Sequence, residues 1–62
     1  MAVTQQVLTA RLNDPVTIYH GSFRTQGVLT DDGSGGGNDA IVVTPISGEP
    51  ITIPKASICG IG

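Results

Sequence analysis

From Pro15 to Gly27 the chain reads as a strand, a tight turn and a second strand: Pro-Val-Thr-Ile-Tyr-His, then Gly21-Ser22, then Phe-Arg-Thr-Gln-Gly. Side chains of a strand point alternately to its two faces. Val16 and Ile18 therefore share one face, and Thr17 and Tyr19 the other. Two more short strands close the sequence, over 51–53 and 58–61, with Pro54 between them. Strand pairs at both ends of so small a chain predict a barrel around very little interior. Such an object works by assembling and binding more readily than by enclosing a catalytic cleft.

The chain has 62 residues, which makes a single domain, 1–62. A chain of this size buries only about 60% of the surface that its unfolded form exposes, so it needs support. Cys59 is the only cysteine, which rules out an internal disulfide. Cys59 and His20 are too few soft ligands for a structural zinc site, and no metal or other cofactor is expected. Oligomerisation is the support that remains.

The formal charge is −2, with Arg11, Arg24 and Lys55 against Asp14, Asp31, Asp32, Asp39 and Glu49. That excludes a polybasic nucleic-acid coat, which needs many cations on one surface. It leaves local binding open, because a symmetric ring turns one cation per subunit into a circle of cations. No apolar run approaches the roughly 20 residues of a membrane-spanning helix. No basic stretch precedes an apolar one at the N-terminus, so a signal peptide is not expected, and the unpaired cysteine suits the cytoplasm.

Residues 4–12 predict a short helix capped by Thr4, with Val7, Leu8, Arg11 and Leu12 on one face. Asn13-Asp14-Pro15 ends it. Strands follow over Pro15–His20, 23–30, Ala40–Thr44, 51–53 and Ile58–Ile61, with a bend or bulge expected at Gly27. The acidic, glycine-rich segment 31–39 predicts a loop with a mobile tip. It lacks the lysine and hydroxyl residue of a phosphate-binding loop. A calcium site on Asp31, Asp32 and Asp39 is the weaker reading beside a solvated loop. His20 and Cys59 have no evident third group or oxyanion hole, so no catalytic residue is assigned.

Tyr19 and Phe23 are the two aromatic residues. An outward tyrosine on a strand is either an interface anchor or a platform on which a base stacks. Arg24 and Gln26 share one phase of the second strand, and each is able to contact a phosphate or a base edge.

These residues resemble the Sm-like superfamily, and within it bacterial Hfq. Pro15-Val16-Thr17-Ile18-Tyr19 matches the Hfq order of proline, valine, small polar residue, isoleucine and tyrosine. Gln26-Gly27 matches its later glutamine-glycine pair. Ile51, Ile53, Ile58 and Ile61 fit the apolar spacing of the second Sm motif. The resemblance implies a mainly β fold: a five-stranded, strongly bent antiparallel Sm-like (SH3-like) barrel, over about 15–61, behind an N-terminal α-helix.

It also implies a homo-oligomeric ring, typically a hexamer, closed where strand four of one subunit meets strand five of the next. That gives Ile51, Ile53, Ile58, Cys59 and Ile61 to the subunit interface. The implied ligand is single-stranded RNA. Tyr19, Phe23, Arg24 and Gln26 align with positions that contact adenine-rich RNA on one face, and Lys55 with a pore lysine that meets uridine-rich RNA on the other. The pattern departs at the pore, where Pro54 and Ala56 flank Lys55 in place of tyrosine and histidine. The face carrying Tyr19 is therefore the better candidate. The alternative is a structural or protein-binding ring without RNA function. A small enzyme with its site in a central pore ranks lower, since Pro54, Lys55 and Ala56 supply no acid–base pair.

Overall fold

A computed structural model describes residues 4–34 and 39–62. The expected mobility at the tip of segment 31–39 concerns residues outside those described. The chain begins with α1 (Gln5–Ala10), which the Thr4 hydroxyl caps by accepting from the Val7 amide at 3.3 Å. Six residues are too few for a stable isolated helix, so α1 depends on what it docks against. Leu8 supplies that contact and is fully enclosed.

The helix ends sooner than the expected 4–12, because residues 11–14 serve a second purpose. Arg11 is the C-cap, and Asn13 turns the chain with φ 69. Asn13 N–H then donates to Leu29 O at 2.7 Å, and Leu29 N–H donates to Asp14 O at 3.1 Å. Asparagine tolerates this left-handed conformation better than most residues. Helical bonds are exchanged there for bonds to the sheet.

Five strands follow: β1 (Pro15–His20), β2 (Phe23–Asp31), β3 (Ala40–Thr44), β4 (Ile51–Pro54) and β5 (Ile58–Ile61). All pairings are antiparallel, in the order β4-β3-β2-β1-β5. β4 and β5 are thus the two edges, and they do not pair with each other. Yet only the 3-10 turn Lys55–Ser57 separates them in sequence. Strands lie about 4.8 Å apart, so the edges of a flat five-stranded sheet would stand about 19 Å apart. A three-residue 3-10 turn rising about 2 Å per residue cannot span that. The sheet must curl until its edges approach.

Curling wraps the inner face around one core. Leu8, Val16, Ile18, Leu29, Ile41, Val43, Ile53 and Ile58 form a single buried cluster, with Leu12 and Ile61 against it. Every strand contributes, and α1 adds Leu8 to the same cluster. The irregularity expected at Gly27 falls elsewhere in β2, where the β2–β3 register shifts between Leu29 and Asp31. Gly27 instead permits close approach: a Cβ there would stand 2.5 Å from the Thr44 carbonyl oxygen and 2.9 Å from Pro45 N. Pro54 is the last residue of β4 and pairs with Ala40.

Candidate functional site

The β1–β2 register decides which candidate residues meet. Tyr19 lies directly opposite Arg24, and Thr17 directly opposite Gln26. Directly paired residues send their side chains to the same face. Tyr19, Arg24, Thr17 and Gln26 therefore form one contiguous group on the outer face, away from the buried Val16 and Ile18. Gln26 Nε2 donates to Thr17 Oγ1 at 3.3 Å, which orients the amide along the sheet surface.

Tyr19 is 44% exposed. It pairs with Gly60 on β5, and its ring edge runs beside Gly60 and Gly62. A Cβ on either glycine would stand 3.7 Å from the ring. A methyl at either position would make only an ordinary contact with the ring, and the glycines leave that edge of the tyrosine uncovered. Arg24 is exposed, and Gln26 is exposed beside it.

The face continues into a groove of about 700 Å³ between the outer side of the hairpin and the β3–β4 connection. Thr17, Gln26 and Val28 form its floor, and Pro45 and Ile46 one wall. The close approach at Gly27 brings that wall near. Arg11 bounds another side, where its guanidinium Nη2 donates to Pro15 O at 3.1 Å and Gly62 O at 3.2 Å. A cation, an amide and a hydroxyl thus border one open trough.

Phe23 does not join this group. It pairs with His20, on the phase of the strand that faces the core further along, and it is 73% exposed at the hairpin end. Its ring lies 6.2 Å from that of His20, whose Nε2 is 2.7 Å from Thr25 Oγ1. Lys55 is elsewhere again. Its ammonium donates to the Gly33 carbonyl at 2.7 Å, so it lies against the β2–β3 connection.

That connection is held from two sides. Gln5 Nε2 of α1 donates to Asp32 O at 2.9 Å, and Lys55 N–H donates to Asp39 O at 2.8 Å. Asp31 Oδ1 accepts from Gly33 N–H at 2.8 Å, and Asp32 Oδ1 from Ser34 N–H at 2.9 Å. The Ser34 hydroxyl and amide, with the Thr9 hydroxyl, hold the Asp32 carboxyl below its ordinary value, and burial opposes them only in part.

The residues assigned to a subunit interface divide into two sets. Ile53 and Ile58 are buried in this chain's own core, and Ile61 packs against it. Ile51 and Cys59 are exposed. What the edges offer a neighbour is mainly backbone. Lys55 N–H bonds Asp39 O, so Ala40 and Pro54 are a non-hydrogen-bonded pair of the antiparallel ladder. By alternation the Val42–Thr52 pair is another, and the N–H and C=O of Thr52 point to the open side of β4. On β5, Thr17 and Gly62 exchange both bonds, which turns the backbone groups of Ile61 to the open side. The sequence placed Thr17 on the Tyr19 face but gave no sign of its pairing with Gln26, nor of the outward backbone of Thr52. Both depend on register, which composition does not reveal.

The fold and site together define a small, mainly β domain: one curled antiparallel sheet, capped by a short helix, with two free edges and a polar–aromatic outer face. Among the described residues no helix is long and apolar enough to cross a membrane. Set against protein-family models, curated proteins and solved structures, the chain has no match in any of the three.

Proposed function

We propose that this chain is an Sm-like protein, patterned most closely on bacterial Hfq. In this reading it forms a closed ring, most simply a hexamer, and binds single-stranded RNA across the Tyr19/Arg24/Gln26 face. The curled sheet plays the part of the family's bent barrel, and pairing of β4 with a neighbour's β5 completes it. The protein acts by binding and not by catalysis. Its setting is the cytoplasm, where the exposed thiol of Cys59 stays reduced.

The observation that carries the reading is the cross-strand register. It brings a stacking ring, a guanidinium and an amide to one face, with Tyr19 directly opposite Arg24 and Gln26 at the next same-face position of β2. Those are the groups that hold an unpaired nucleotide: an aromatic face for the base, an amide for its edge and a cation for the phosphate. Free backbone at both sheet edges supports assembly, since exposed edges favour strand pairing and head-to-tail pairing that closes covers them all. Phe23 and Lys55 take no part in this face.

The test is fluorescence anisotropy with labelled oligo-A at moderate salt, alongside light scattering. The ring binds oligo-A, and Tyr19→Ala weakens that binding about tenfold, the loss of one stacking contact, while leaving the mass unchanged. Loss of mass together with binding would make Tyr19 a subunit contact instead. The second reading, a ring that binds protein or serves structure, is favoured by the net charge of −2 and by the engagement of Lys55 with Gly33. A folded ring that ignores both oligo-A and oligo-U selects it.

A further inference from the structure

The outer face carries a ridge beside its trough. Between β3 and β4 the chain turns through Pro45-Ile46-Ser47-Gly48-Glu49-Pro50, and residues 46–50 are all exposed. Ile46 is 102% exposed, so its side chain is covered by nothing in its own molecule. A lone exposed isoleucine is ordinary. This one stands on the rim of the 700 Å³ trough, above a floor of Thr17, Gln26 and Val28. The ridge is also stiff. Pro45 and Pro50 fix two φ angles, and Gly48 holds the turn at φ +133. The ridge starts where β3 lies tight against β2, at a point where a Cβ on Gly27 would stand 2.5 Å from Thr44 O. A knob already held in place loses little freedom when something covers it.

Ridge and trough lie side by side on one face. A two-fold axis running between them, parallel to both, drops the ridge of each copy into the trough of the other. The charges agree with that pairing. Glu49 lies on the ridge three residues beyond Ile46, and Arg11 bounds the trough. The Arg11 guanidinium bonds backbone oxygens and, among the described residues, no side-chain carboxylate. We propose that the occupant of the trough is a second copy of this chain: two copies meet outer face to outer face, Ile46 of each fills the trough of the other, and Glu49 of each approaches the other's Arg11.

The inference stands apart from the RNA-binding reading, since it needs no nucleic acid. It stands apart from the pairing of sheet edges too, since β4 and β5 take no part in it. Its size sets its strength. A standard interface takes about 800 Å² from each partner, about a fifth of this chain's 3815 Å². A single turn seated in a single trough covers less. Two lone chains therefore pair only at high protein concentration, whereas copies already joined into a larger unit pair together. Whatever unit the strand edges build, this contact doubles it.

The test is sedimentation velocity over a concentration series, on the full chain and on Ile46→Ser. Ile46 packs against nothing in its own chain, so the variant keeps the fold, which circular dichroism checks. At the highest concentration the wild type should have twice the mass of Ile46→Ser. Its self-association should be at least about a hundredfold stronger, because the variant loses two buried isoleucines per pair. Glu49→Lys should weaken association about tenfold at low salt and less at high salt. Equal masses at every concentration overturn the proposal, as does an association indifferent to Glu49→Lys. The seating has its own check: Ile46→Cys mixed with Val28→Cys, both carrying Cys59→Ser, should cross-link position 46 to position 28 under mild oxidation. Cross-links confined to 46 with 46 would overturn it. Failure of the other readings looks different. Without edge pairing the masses keep their ratio of two, but Ile46→Ser is a single chain; without RNA binding only the oligo-A signal is lost.

Discussion

Two glycines show how differently one residue type serves this chain. Gly27 sits where β2 passes the end of β3, and an added methyl would meet the backbone of Thr44 and Pro45 at 2.5–2.9 Å. Backbone atoms cannot swing aside as a side chain can, so the two strands must separate. Gly60 would place its methyl 3.7 Å from the Tyr19 ring, an ordinary contact. Gly27→Ala should therefore cost about 1–3 kcal/mol, the usual range for overpacking. In a domain this small each kcal/mol lowers the melting temperature by about 4–8 °C. Gly60→Ala should leave the melting temperature nearly unchanged. Equal melting temperatures for both variants in a thermal scan would contradict the close approach at Gly27. The bulge expected at Gly27 shows why the sequence alone misleads here. A strand glycine signals something without a side chain, but whether a bulge or a neighbouring strand demands it depends on tertiary packing.

At the scale of elements, the strands were legible because their signal is local. Alternation in Pro15–His20 and the β-branched run in Ala40–Thr44 mark strands whatever surrounds them. In Pro15–His20 the period also separated Val16 and Ile18 from Thr17 and Tyr19, whereas the unbroken apolar run 40–43 did not say that Ile41 and Val43 face inward. The helix end was less legible, since Asn13 and Asp14 bond to Leu29 of a distant strand. Least legible was the docking of segment 31–34 on α1 and Lys55, because a glycine-rich acidic stretch reads as a solvated loop. That docking has a pH signature. Asp32 is held below its ordinary value chiefly by the Ser34 hydroxyl and amide, then by the Thr9 hydroxyl. A depressed carboxyl contributes stability above its unfolded value of about 3.9 and loses it as pH falls through the lower folded value. Asp32→Asn should thus melt below the wild type at pH 7. The gap should narrow as pH drops below about 4 and close in stronger acid. Melting curves of both proteins between neutral pH and pH 2 check this, and a gap independent of pH would refute it.

For the whole molecule, the question is what covers the two edges. A five-stranded sheet around eight buried apolar residues, among those described, is a small core for an independent domain. Thr52 and Ile61 aim unsatisfied backbone groups outward from β4 and β5. Proline at 52 would remove the outward N–H, and the ladder geometry indicates that it would spare the bonds between β4 and β3. Thr52→Pro should then keep the β-sheet circular dichroism of the wild type and lower the mass in light scattering to that of a single chain. In the proposed ring, assembly would also multiply the Tyr19/Arg24/Gln26 face, since each added subunit would raise the effective concentration of sites along one strand of RNA. Long oligo-A should therefore lose affinity on the order of a hundredfold in Thr52→Pro, whereas a tri-adenosine that fills one subunit's face should bind as before. The contrast in length separates the two contributions: a loss shared by both oligonucleotides would mean that the face itself spans the subunit boundary, and an unchanged mass would mean that β4 is not the edge through which copies join.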